Sequence, residues 1–97
     1  MKYIFHPEAE VELNEAVDYY DVCEEGLGLR FAREIHVTIE NICKFPYAWT
    51  ILSQNTRRCL LRRFPYGVIY QCKDDHIIII AIMQLNKKPD YWHNRPA

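Results

Sequence analysis

The sequence has no stretch long and apolar enough for a membrane. Its longest uninterrupted apolar run, Ile77 to Met83, covers seven residues, against the roughly 18 to 20 that a spanning helix requires. The opening MKYIFHPEAE also lacks the hydrophobic region of a secretory signal, so a cytoplasmic location is expected. Glycine is scarce, and no repeat, low-complexity tract or linker interrupts the chain, which argues for a single domain over residues 1–97. Ninety-seven residues have room for one core and not for two. Cys23, Cys43, Cys59 and Cys72 include no C-x-x-C pair. Each sits in an apolar pattern, so buried reduced thiols are expected rather than disulfides. His6, His36, His76 and His93 lack ligand spacing, so no metal site or other cofactor is expected.

The second half of the chain has no glutamate, and its only acids are Asp74, Asp75 and Asp90. Residues 54–97 carry eight basic groups against three acidic ones, giving +5, whereas residues 1–53 carry four against ten, giving −6; the sum is the net −1. Such polarisation points to an anionic partner for the basic half, although a solvated surface would give the same count.

Periodicity sets out the elements. KYIFH reads as a first strand. Pro7 suits the first helical position, where its missing N–H has no partner to lose. PEAEVELNEAVDYYDVCEE follows as a helix with Ala9, Leu13, Ala16 and Tyr20 on one face. Its acidic face is expected to meet solvent. Gly26 to Gly28 end that helix, and a second runs from about Leu29 to Lys44 with Phe31, Ile35, Ile39 and Ile42 aligned, until Pro46 stops it. RRCLLRRF, VIYQCK and HIIIIAIMQL read as three strands joined by PYG and DD turns. The last, apolar throughout its middle, is expected to be central and covered on both faces. The fold class is therefore α+β: an N-terminal strand, a two-helix antiparallel hairpin, then a three-stranded antiparallel meander in one mostly antiparallel sheet. The first strand pairs with one of the later three, and NKKPDYWHNRPA ends the chain in a helical turn or an ordered tail.

Together these elements and several stretches, HPEAEVELNEAVDYY, GLGLRFAREI, the Phe45-Pro46 pair, RRCLLRRFPYGVIY and the closing KKPDYWHNR, make the chain resemble the RelE/ParE toxin superfamily of type II toxin–antitoxin systems, of the plasmid-stabilisation type. The resemblance implies a growth-inhibiting toxin held inactive by a cognate antitoxin in a hetero-oligomer. RelE-like members cut messenger RNA on the ribosome, and ParE-like members block DNA gyrase without cutting RNA.

Metal-free RNA cleavage needs a base for the ribose 2′-hydroxyl, an acid for the leaving oxygen and cations for the charged phosphorane. Arg57, Arg62, Lys87 and Lys88 are the candidate catalytic cations, and Tyr91, matching the tyrosine of the family's P-x-YW ending, is the candidate acid–base group. Packing beside Trp92 is the competing role for Tyr91. Arg58, Arg63, Trp92 and Arg95 are candidates for binding an anion or the antitoxin, because a guanidinium grips phosphate or carboxylate bidentately. Strand alternation places Arg57 and Arg63 on one face with Cys59 and Leu61, and Arg58 and Arg62 on the other. Solvated edge-strand charge is the alternative for all four. Trp49, Trp92, Tyr47, Tyr66 and Tyr70 are stacking candidates or core residues. Many relatives carry a histidine at the end of the last strand, where this chain has Gln84, and arginine where it has Lys88. Glutamine shuttles no proton near neutral pH, so the expected activity leans toward gyrase inhibition, with a ribosome-dependent endoribonuclease as the alternative.

Overall fold

The computed structural model describes residues 1–88 and 90–95. The elements are β1 (Lys2–Phe5), α1 (Pro7–Cys23), α2 (Leu27–Lys44), β2 (Thr50–Ser53), β3 (Thr56–Leu60), β4 (Tyr66–Lys73) and β5 (His76–Gln84). Helix α1 starts where a ring nitrogen of His6 accepts the backbone N–H of Glu8 at 3.1 Å. Pro7 gives up no bond there, and Glu8 and Glu10 favour the positive end of the helix dipole. Gly26, at φ +86°, takes the left-handed conformation between the helices. Helix α2 begins two residues earlier than its apolar stripe suggests, and its Gly28 N–H donates to the Asp21 carboxylate at 2.8 Å. Among the described residues, no helix is long and apolar enough to cross a membrane.

The sheet has five strands in the order β1-β5-β4-β3-β2. Strand β1 runs parallel to β5, and the other neighbours are antiparallel. The expected meander therefore gains β2, whose four residues, with Ile51 exposed, are too short and too open to carry a strand pattern. Strand β3 ends just past Leu60: the Leu61 N–H still bonds the Tyr66 carbonyl of β4 at 2.9 Å, and the next two amides, those of Arg62 and Arg63, turn away to the Glu34 carboxylate. The expected grouping of Arg57 with Arg63, and Arg58 with Arg62, across one strand is thereby corrected.

Helices α1 and α2 cover one face of the sheet. Ala9, Ala16, Phe31, Ile35, Ile39 and Ile42 meet Cys59, Val68, Tyr70, Ile77, Ile79 and Ile82 there. On the opposite face Ile69, Ile78, Ile80, Ala81 and Met83 lie under Trp92, with Leu52 and Tyr91 at the margin. Strand β5 serves both cores by the alternation of its side chains, and a bulge shifts that alternation by one residue. Ile69 pairs with Ala81 and Tyr70 with Ile79, leaving Ile80 unmatched. Side chains 78, 80, 81 and 83 then face one way, and 77, 79 and 82 the other. Each fully buried isoleucine contributes about 1.5–3 kcal/mol, so β5, buried from Ile77 to Met83, is a major source of stability. Burial pushes the Cys59 thiol up to about 11. The four thiols are free, and Cys23 is exposed at the end of α1 rather than buried as expected.

Candidate functional site

Strand β1 ends at Phe5, and the His6 N–H makes the last bond to β5, 2.8 Å to the Ile79 carbonyl. Beyond that point β5 has no strand neighbour on this side among the described residues, and two side chains take over. Glu12 Oε1, from α1, accepts the Ile82 N–H at 2.9 Å, and Arg95 Nη1 donates to the Ile80 carbonyl at 3.0 Å. Arg95 and Glu12 also pair bidentately, at 2.8 and 3.0 Å, with side-chain exposures of only 11% and 14%. The Tyr91 hydroxyl donates to Glu12 Oε2 at 2.6 Å. Arg95 and Lys87 lie over the Tyr91 ring at 5.1 and 5.3 Å from its centroid. One carboxylate thus joins α1, the edge of β5 and the C-terminal segment.

This arrangement sets the chemistry of Tyr91. Burial first, then its hydrogen bond to Glu12, pushes the phenol well above its ordinary range, so a phenolate base is strongly disfavoured. The hydrogen bond to Glu12 raises the Arg95 guanidinium despite its burial. Beside the ring lies a small cavity of about 180 Å³, bordered by Glu12, Glu15, Gln84 and Lys87. With Glu12 paired to Arg95, Glu15 and Lys87 are left as its other charged groups, and they give it no net positive charge to attract a phosphate.

The other candidates lie elsewhere. Arg57 Nη1 donates to the carbonyls of Tyr47 at 3.0 Å and Trp49 at 2.9 Å, with its guanidinium over the Tyr47 ring, so it braces the loop between α2 and β2. The stem of Arg58 lies over Gly67, and its Nε is buried with no hydrogen-bond partner among the described residues. Arg62 and Arg63 are exposed on the turn after β3, their N–H groups fixed by Glu34 Oε2 at 2.6 and 2.9 Å. Lys88 is exposed, and Pro89 of the P-x-YW motif lies outside the described residues. Trp92 is buried in the second core rather than presented to a partner. Tyr70 is fully buried, with its hydroxyl donated to the Pro46 carbonyl at 2.6 Å, and Tyr66 packs against Phe31, which removes these three from the stacking set. Of the candidate nuclease residues, Lys87 and Tyr91 come together at one cavity, whereas Arg57 and Arg62 line two others.

Glu12 is the central residue that sequence reasoning missed. It belongs to the acidic face expected to meet solvent, yet it stands three residues after Ala9 and four before Ala16, on the border of the apolar stripe. That spacing was the available signal.

Alkaline solution probes these buried groups. Above their ordinary values of 9.0 for Cys59 and 10.0 for Tyr70 and Tyr91, the unfolded chain releases protons that the folded chain retains. Stability is therefore full below pH 9 and falls as pH rises, Cys59 contributing between 9 and about 11 and the phenols from 10 upward. The slope approaches about 1.4 kcal/mol per pH unit for each group. Urea midpoints measured across this range check it; a flat profile would show that these groups titrate normally in the fold.

A family model described as the ParE toxin of the type II toxin–antitoxin system parDE matches residues 3–87. The chain belongs to the ParE toxin family. Among solved structures it is similar to the chromosomal ParDE toxin–antitoxin system from P. aeruginosa, with a TM-score of 0.77 and 18% identity over 89% of this chain and 97% of that one. At that identity the likeness bears on the fold, and it agrees with the helix hairpin on a mixed sheet. No curated protein matches the chain. The ParE match includes Glu12, Arg57 and the Arg62–Arg63 turn, and it stops before Tyr91, Trp92 and Arg95.

Proposed function

We propose that this ParE-family toxin arrests growth by binding a protein target, DNA gyrase, rather than by cutting RNA. It acts in the cytoplasm and is neutralised by a cognate antitoxin in a toxin–antitoxin complex. The observation that carries the reading is the Tyr91 hydroxyl, donated to Glu12 at 2.6 Å and raised by burial. A nuclease would need that group free to exchange a proton. Gln84 offers no substitute near neutral pH, and the arginines that would steady a phosphorane face other cavities. Family membership supports the toxin reading, and the committed tyrosine supports a binding mechanism within it.

Expression without antitoxin, followed by mapping of mRNA 5′ ends, tests the reading. The wild-type chain is expected to stop growth and leave transcripts intact. Tyr91→Phe removes one hydrogen bond to a carboxylate, worth about 1.5–3 kcal/mol, and is expected to arrest growth at a similar induction level. New codon-phased 5′ ends that disappear in Tyr91→Phe would establish the ribosome-dependent endoribonuclease instead.

A further inference from the structure

On the sheet face turned away from the helices, where the β2–β3 turn meets the C-terminal segment, lies a cavity of about 180 Å³. Ser53 and Asn55 border it from the turn, Gln71 and Thr56 from the strands beneath, and His93 and Arg95 from the C-terminal segment. None of the candidate nuclease residues lines it. The family match ends at residue 87, so the part of the wall that carries His93 lies beyond the matched region.

Its electrostatics exclude a charged occupant. Arg95 brings the one guanidinium, which is already held bidentately by Glu12 and bonded to the Ile80 carbonyl. Among the described residues no carboxylate borders the cavity, so neither an anion nor a cation finds a free counter-charge there. Amide and hydroxyl groups remain. Gln71 Nε2 donates to Thr56 Oγ1 at 3.1 Å, and Thr56 is only 3% exposed, so the Gln71 amide is anchored from below. A carboxamide held in this way still presents an acceptor oxygen beside a second N–H. The complement of such a pair is a planar group with its own donor and acceptor side by side, as on the edge of a nucleobase. His93 is exposed at the rim, and its imidazole is a flat ring of the kind on which unpaired bases stack. At roughly 30 Å³ per water, the space equals about six waters. One heterocycle fits, and a base pair does not.

We propose that this cavity holds a single unpaired nucleobase, brought either by a free nucleoside or by a single strand. Asn55 and Gln71 read its edge, and His93 covers its face. The base is bound and not cut, because Tyr91 and Lys87 line a different cavity. The inference therefore does not depend on which target the toxin attacks.

The probes are uridine, cytidine, adenosine and guanosine, titrated into the full chain and followed by amide and indole N–H shifts. The Trp92 indole serves as a reporter, since it borders the cavity and its Nε1 is buried with no hydrogen-bond partner among the described residues. At least one nucleoside should give saturable shifts at Asn55, Gln71, His93 and the Trp92 indole. Asn55→Ala combined with His93→Ala should weaken that binding about tenfold or more, equivalent to about 1.4 kcal/mol. Both residues are exposed, so the melting temperature should stay near that of the parent, which separates lost binding from lost folding. A single-stranded tetranucleotide of the preferred base separates the two sources: tighter binding than the nucleoside identifies a strand, and equal or weaker binding identifies the free nucleoside. The proposal is overturned if no nucleoside saturates these resonances, if ribose alone produces the same shifts, if the shifts lie elsewhere, or if the double variant binds as the parent does.

Discussion

Glu12→Ala should destabilise the fold by about 3–5 kcal/mol, as expected when one partner of a buried ion pair is removed. The change strands three donors at once: the Arg95 guanidinium, the Tyr91 hydroxyl and the Ile82 N–H. Among the described residues, Arg95 keeps the Ile80 carbonyl, the face of the Tyr91 ring and a 3.4 Å approach to Glu8, too little to compensate a charge whose side chain is 11% exposed. For a domain of this size the melting temperature should fall on the order of 15 °C or more. Amides near residues 90–95 should exchange faster than those of β4, because the segment loses its tie to α1. Glu12→Gln keeps one acceptor and should fall between the two. A loss below about 1 kcal/mol for the alanine variant would show that the C-terminal segment is held by Trp92 packing alone.

The second large effect is expected at Gly28, in the first turn of α2. A Cβ there would stand 2.4 Å from the Val17 carbonyl oxygen and 2.7 Å from the Asp21 carboxyl. Two opposing effects meet at this position. Alanine favours a helix over glycine by about 1 kcal/mol, while forcing two packed helices apart costs about 1–3 kcal/mol and can cost more. The obstructing atom is backbone in α1 and cannot swing aside, so the steric term should win. Gly28→Ala should lower the urea midpoint by an amount equivalent to about 2 kcal/mol. Gly26→Ala is a useful contrast: a Cβ there meets nothing within 4 Å, and the cost comes only from φ +86°. A neutral or stabilised Gly28→Ala would mean that the hairpin relaxes without loss.

How much could be read beforehand follows from the range of each interaction. The helices were legible because Phe31, Ile35, Ile39 and Ile42 repeat at the helical period, and β5 because Ile77 to Met83 is apolar without a break. The bulge at Ile80 was not, since it is a property of pairing with β4 and leaves no mark in an all-apolar run. The arginines were read as one strand because their ladder partners were unknown. Glu34, 28 residues from Arg62, is what bends the chain out of the sheet. Glu12 was hidden for the same reason, being 79 positions from Tyr91 and 83 from Arg95. Charge summed along the sequence also misled. Arg30 and Arg33 belong to the acidic half, yet the fold sets them opposite Arg62 and Arg63, so polarity in sequence is not polarity in space.

The most direct measurement is supercoiling by purified gyrase in the presence of the purified toxin, set beside a translating extract charged with reporter mRNA. A protein-directed toxin predicts dose-dependent loss of supercoiling, relief on adding the antitoxin, and intact reporter RNA at the same concentrations. Unimpaired supercoiling, together with codon-phased cuts in the reporter, would contradict it and return Tyr91 to the chemistry from which its bond to Glu12 separates it.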